Sequence, residues 1–185
     1  MFRDLDLDLH AGELAVLTGP SGSGRTSALL ALAGRFRTSH GSLEPAARPA
    51  LGLVRGVHEP DPMLTVAEHL GERLRLHRPL GWPTRSRRRA HRGLVARHAA
   101  TLPVAPELLA GELDPLHRHL LMLRLALLAD PDLIAIDDVD AGLTIDESVT
   151  LWAHLRGLAD LGVAVLATAR EVHHDLPDLT LELPK

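Results

Sequence analysis

With 185 residues, 45% of them hydrophobic and 24% charged, the chain can bury one full core and has the balance of a globular domain. A net charge of −4 supplies no global basic field for nucleic acid, and the absence of cysteine excludes disulfides and thiolate metal sites. Lys185 is the only lysine, so arginine fills every other strongly basic position.

In chain order, Leu5, Leu7 and Leu9 alternate with Asp4, Asp6 and Asp8, the pattern of a half-buried strand. Met1–His10 therefore lacks the apolar run of a secretion signal. Leu14–Leu17 is a short apolar run and predicts a buried strand; Ala28–Ala33 predicts a helix. A further strand is expected at Leu51–Val54. Thr65–His77 predicts a helix with Val66, Leu70 and Leu74 on one face. Pro79–Arg97 is arginine-rich and reads as solvated, and Asp114–Ala129 is a strong helix. Its apolar part, Leu120–Ala129, is too short to span a bilayer and carries Arg124, so a cytosolic chain is expected. Leu133–Ile136 predicts a buried strand ending in Asp137-Asp138. Ile145, Val149, Trp152 and Leu155 mark a helix face, Val163–Leu166 a fourth buried strand, and Leu179–Leu183 alternates again. Apolar strands separated by helices imply a mainly parallel α/β sheet.

The stretch "GPSGSGRTS", Gly19 to Ser27, lies between the first apolar strand and the first helix. Gly19, four residues, Gly24, a basic residue and Thr26 is the spacing of a phosphate-binding loop. Glycines at 19, 22 and 24 let successive N–H groups point inward at a phosphate chain, and the helix N-terminus adds partial positive charge. Pro20, Ser21, Ser23 and Ser27 complete the loop, and the Thr26 hydroxyl suits Mg²⁺. Arg25 departs from the usual lysine: the charge is kept, but as a planar fork instead of a point. Binding is expected to be retained and weakened. Four apolar residues ending in Asp137 supply the acid that holds Mg²⁺ beside such a loop.

Taken together these pieces resemble the ATP-binding cassette (ABC) ATPases. "LDLDLHAGELAVLTGPSGSGRTSALLALAG" is similar to the family's first strands, phosphate loop and helix, and "LGLVRGVHEPDPMLTVAEHL" to the glutamine loop and the start of its helical subdomain. "GELDPLHRHLLMLRLALLADPDLIAIDDVDAGLT" is similar to the signature helix, the Mg²⁺ strand and the loop after it; "GVAVLATAR" is similar to the switch-histidine strand. The resemblance covers nearly the whole chain. It implies a P-loop NTPase core, with a mainly parallel sheet flanked by helices, and a small helical subdomain at residues 57–129 within a single nucleotide-binding domain over 1–185. It further implies ATP and Mg²⁺ as ligands, with Gly19–Ser27 on the nucleotide, Thr26 and Asp137 on the metal, and Asp138 at the catalytic glutamate position.

The family's functional residues are carried over unevenly. The glutamine falls on Gly56, the switch histidine on Ala169 and the loop aspartate on Thr144. Asp138 retracts the catalytic carboxylate by one methylene, and misplacement by about 1 Å can cost on the order of 100-fold. The adenine-stacking aromatic has no counterpart; Phe2 sits too late and there is no tyrosine. The signature run is Leu113-Asp114-Pro115-Leu116-His117. Asp114 suits an N-cap and Pro115 the first turn. But Pro115 has no N–H for a phosphate, and a carboxylate 4 Å from a phosphate charge costs roughly 4 kcal/mol at an effective dielectric of 20.

The reading is an ATP-binding subunit on the inner face of a membrane, coupling ATP binding, with weak hydrolysis, to a membrane-spanning transporter subunit and paired with a second cassette. No nucleic-acid partner is expected. The alternatives are a catalytically silent regulatory or scaffold cassette and a small P-loop kinase with the arginine run as a lid. Arg85, Arg87, Arg88, Arg89, Arg92 and Arg97 read as a solvated helix face, and Trp82 and Trp152 as packing residues. His117, His119, His173 and His174 lack a third ligand for a metal.

Overall fold

The computed structural model describes residues 5–44, 46–77, 84–172 and 175–184. Asp4, Phe2, Trp82, His173, His174 and Lys185 lie outside the described residues. Five strands form one sheet: β1 (Leu14–Thr18), β2 (Pro49–Leu51), β3 (Leu133–Ile136), β4 (Ala164–Thr168) and β5 (Leu179–Glu182). Their order is β2-β3-β4-β1-β5, and every pairing is parallel. Among the described residues five α-helices accompany them, α1 (Arg25–Leu32), α2 (Val66–His77), α3 (Arg85–Ala99), α4 (Pro115–Leu127) and α5 (Ile145–Asp160), with a short 3-10 turn at Ala110–Glu112. This is the parallel, helix-flanked sheet of a P-loop NTPase.

The central strands are apolar throughout because both sheet faces are covered. Side-chain alternation sorts β1 between two layers. Leu14 and Val16 join Ile134, Ile136 and Val165 beneath α4 and α5, against Leu120, Leu123, Leu151, Trp152 and Leu155. Ala15 and Leu17 join Ala135 and Leu166 beneath α1, against Ala28, Leu29 and Leu30. A third cluster gathers Leu53, Val66, Leu70, Ala99, Ala110, Leu113, Leu121, Met122 and Leu125. Helix α4 thus serves two cores: Leu120, Leu123 and Ala126 face the sheet, while Leu121, Met122 and Leu125 face α2. That double burial explains why α4 is apolar nearly all round. Helix α3 buries only His91 and Ala99. Its arginines 85, 87, 88, 89, 92 and 97 are all exposed, as the sequence predicts.

The helix starts are encoded locally. Thr65 and Glu68, and Thr144 and Glu147, form reciprocal side chain to backbone pairs ahead of α2 and α5. Asp114 accepts the His117 N–H at 2.9 Å, with Pro115 opening α4.

Three expectations are corrected. Residues 5–10 form no strand, although their burial alternates as predicted, with Leu5, Leu7 and Leu9 against the second cluster. Alternation chooses the faces of an extended chain, but a ladder also needs a partner. The strand expected at Leu51–Val54 is displaced to Pro49–Leu51. Pairing continues through the Gly52 N–H to Ala135 O at 2.8 Å and the Asp137 N–H to Leu53 O at 2.9 Å, and Val54 turns instead to pair with His58. In α5 the buried stripe is Leu151, Trp152, Leu155 and Ala159. Ile145 and Val149 are 83% and 45% exposed. The first turns of α5 are held by their cap and not by the sheet. Trp152 packs in the core as expected.

His119 on α4 is 1% exposed, and both ring nitrogens lack a hydrogen-bond partner among the described residues. Burial, reinforced by Arg55 and Arg118, pushes its pKa from 6.5 down to about 4. The unfolded chain therefore takes up this proton first, and stability falls as pH drops from 6.5 towards 4, by about 3 kcal/mol in full. His119→Leu should flatten that part of the stability–pH curve relative to wild type in urea unfolding at pH 7 and pH 4.5.

Candidate functional site

The parallel order β3-β4-β1 sets three strand ends side by side, and the loops leaving them meet at one edge of the sheet. From β1 comes the glycine loop. Gly19, Gly22 and Gly24 have φ of 143°, 85° and 91°. Gly19 has no alternative: a Cβ there would lie 2.5 Å from Leu183 O and 2.9 Å from Ser23 Oγ. Gly24, in the left-handed region, is the N-cap of α1 and supplies no side-chain cap; the first turn holds no acid. The first N–H groups of α1 are therefore not capped by a side chain. Ser23 Oγ is buried without a hydrogen-bond partner. The side chains of Pro20, Ser21 and Ser27 face solvent, while Arg25 is 8% exposed.

From β3 comes Asp137, 4% exposed. Its Oδ2 accepts from Thr26 Oγ1 at 2.8 Å and its Oδ1 from Thr168 Oγ1 at 2.5 Å. The two residues expected to share a metal thus touch across 111 positions of sequence. Asp138 follows with φ 48°, a left-handed conformation that aspartate tolerates better than most. Its N–H donates to Thr168 Oγ1 at 2.8 Å. Its Oδ1 accepts from Arg25 Nη2 at 3.1 Å, while Arg25 Nη1 donates to Gly19 O at 2.8 Å. Burial, then the neighbouring Asp137 charge, push the Asp138 carboxyl above the usual range, and Arg25 opposes them.

Thr168, wholly buried at the end of β4, was read from sequence only as part of a strand. It ties both acids to the neighbouring strand. Its signal was slight: one hydroxyl closing an otherwise apolar run.

The other positions of interest keep structure and lose reach. Gly56 sits in a turn at φ 71°. Beside it, Arg55 Nη2 donates to Ala141 O at 3.0 Å, spanning towards the loop after β3. Ala169 is fully buried and its N–H bonds Leu17 O. Thr144 is spent as the cap of α5. Asp114 is engaged by its own helix, its second oxygen 2.5 Å from His117 Nδ1. Burial pulls its pKa up, but the N–H and ring of His117 prevail and the net direction is down. No group of three metal-ligating side chains occurs among the described residues.

The residues present fit a phosphate chain and a hard cation. The uncapped α1 terminus, the three left-handed glycines and the orphaned Ser23 hydroxyl all call for an anion. Thr26 and Asp137 offer the oxygen-only donors that Mg²⁺ takes.

Residues 2–141 match the family model described as ABC transporter. The chain is 31% identical over 176 residues to Nod factor export ATP-binding protein I of Burkholderia orbicola (strain AU 1054), covering 89% of this chain and 56% of that protein. It is 26% identical to zinc import ATP-binding protein ZnuC of Ruegeria sp. (strain TM1040), covering 92% and 65%. The chain thus spans little more than half the length of the Nod factor relatives. Among solved structures, a dimeric bacterial ABC transporter cassette aligns with TM-score 0.78 at 15% identity, over 99% of this chain and 86% of that one. A cassette in a post-hydrolysis state with ADP and Pi aligns at 0.76 and 15%, over 98% and 85%. At such identity these two likenesses are of fold.

Thr168→Val removes the hydroxyl shared by both acids and leaves the Asp138 N–H and an Asp137 oxygen without a partner. Each such loss costs about 1–3 kcal/mol. Urea unfolding should show a fall of at least that size, without change of secondary structure by circular dichroism.

Proposed function

We propose, since this chain belongs to the ABC transporter family, that it is a cassette that binds ATP with Mg²⁺ and hydrolyses it slowly, transmitting the bound state to a membrane-spanning partner. One observation carries the nucleotide reading. The glycine loop and the Asp137 strand end, far apart in sequence, meet through a 2.8 Å Thr26–Asp137 hydrogen bond beside an uncapped helix terminus. Members of the ABC ATPase family bind ATP. Here the loop N–H groups from Gly19 to Thr26 and the α1 terminus would hold the phosphate chain, with Ser23 and Ser27 at its margins. Thr26 and Asp137 would hold Mg²⁺, whose chemistry is to neutralise and orient the phosphate oxygens.

Slow turnover is supported by what surrounds that centre. Asp138 stands where the family carries the glutamate that orients the attacking water. It is one methylene short of the family's glutamate and engaged by Arg25. Gly56 and Ala169 offer no side chain to a γ-phosphate. Pro115 lacks an N–H, and Asp114 directs its charge into its own helix. A cassette that closes on nucleotide with little hydrolysis, in a regulatory or scaffolding role, is the second reading these same residues favour.

The relatives' names describe ATP-binding proteins of export and import systems. No helix among the described residues is long and apolar enough to cross a membrane. A cytoplasmic position against the inner membrane face, a membrane-spanning partner and a second cassette belong to the proposal. So does the subdomain at residues 57–129, supported by the separate cluster around Val66, Leu70 and Met122.

Calorimetric titration of the purified chain should show micromolar ATP–Mg²⁺ binding that Arg25→Ala weakens but leaves measurable. Steady-state phosphate release should be low, and the triple variant Arg25→Lys/Asp138→Glu/Ala169→His should raise it by roughly two orders of magnitude. Wild-type turnover equal to the triple variant would sink the slow-turnover reading. Absence of binding up to millimolar ATP would sink the nucleotide reading itself.

A further inference from the structure

The two departures at the heart of the site, a longer forked base at position 25 and a shorter acid at position 138, meet in one contact. Arg25 spans from the carbonyl of Gly19 at 2.8 Å to the carboxylate of Asp138 at 3.1 Å. Its side chain is 9% exposed and that of Asp138 is 30% exposed. The geometry is that of an arginine. One terminal nitrogen stays on the loop's own backbone while the other reaches across to Asp138 in the loop after β3, which a single ammonium on a lysine stem does not reproduce. The reach of the guanidinium makes up for the methylene missing from the acid. In this arrangement both terminal nitrogens of the loop's only cation are engaged by protein oxygens, and one oxygen of Asp138 is occupied.

We propose that the Arg25–Asp138 pair is a latch opened by the phosphate chain of the nucleotide. Closed, it withholds Arg25 from ligand and covers Asp138. A polyphosphate offers the guanidinium several anionic oxygens in bidentate geometry, against one carboxylate oxygen and one carbonyl in the closed state. Arg25 then exchanges Asp138 for phosphate, and Asp138 is uncovered only when ligand is present. This rests on the nucleotide reading above and adds to it a control: apparent affinity is set by the fraction of molecules with the latch open.

The test is a double-mutant cycle with Asp138→Asn, Arg25→Met and the double variant, Arg25→Gln serving if Arg25→Met fails to fold. The probes are ATP–Mg²⁺ and inorganic tripolyphosphate, alongside urea unfolding of each protein without ligand. Asp138→Asn should tighten both ligands by roughly tenfold or more, because it frees a withheld arginine. In the Arg25→Met background the same substitution should change affinity less than about twofold, and the ligand-free cycle should show the two positions to be coupled. Equal tightening in both backgrounds would mean simple charge repulsion and overturn the latch. So would additive stabilities without ligand, or no tightening in either background. Wild type binding ATP while the cycle is additive removes the latch alone. Coupling without ligand, with neither probe bound by any variant, removes both the latch and the nucleotide reading.

Discussion

The parallel pairing of β1 with β4 and of β4 with β3 is the constraint on which the site depends. It places Leu17 beside Thr168 and Ile136 beside Ala167, so that the chain leaves three neighbouring strands at the same edge. Thr168 then lies where its hydroxyl can donate to Asp137 and accept from the Asp138 N–H. Thr26, one residue into α1, closes on the other oxygen of Asp137. A slip of one residue between β3 and β4 would turn Asp137 to the opposite sheet face and undo all three bonds. The apolar strands, buried on both faces, are what make such a slip expensive.

Around this framework the chain has the parts that would shape the proposed phosphate site, while the positions proposed to sense or cleave a phosphate differ from the family's residues. The loop glycines retain their left-handed backbone, and Gly19 tolerates no other residue. Thr144, Asp114 and Ala169 have become local structural residues: a helix cap, a helix cap and a buried strand-end contact. Arg25 and Asp138 are different in kind. Neither contributes to a helix cap or an apolar core, and they engage each other directly across the site.

Much of the fold was legible in the residues. The continuous apolar runs at Leu14–Leu17 and Leu133–Ile136 marked buried strands, and the spacing of Val66, Leu70 and Leu74 marked the inner face of α2. Asp114-Pro115 marked the start of α4. Misreadings fell where a local pattern was asked to report a distant partner. Leu5, Leu7 and Leu9 alternate correctly but have no ladder to join. Ile145 and Val149 fit the period of α5 but lie on turns that the sheet does not reach. Gly52 belongs with the pairing to β3, because a side chain there would press on Ile136 at 3.2 Å.

The sequence by itself determined the loop and its glycines, the strand-terminal acids, the helix caps and the order of elements. These follow from spacing, backbone freedom and hydrophobic period, all of them properties of neighbouring residues. Only the tertiary structure decided that Thr168 holds both acids and that Arg25 turns to Asp138 while bound to Gly19 O. Those contacts join residues 31 and 113 positions apart. Their existence rests on strand order and register, which are settled by how all the apolar faces pack at once.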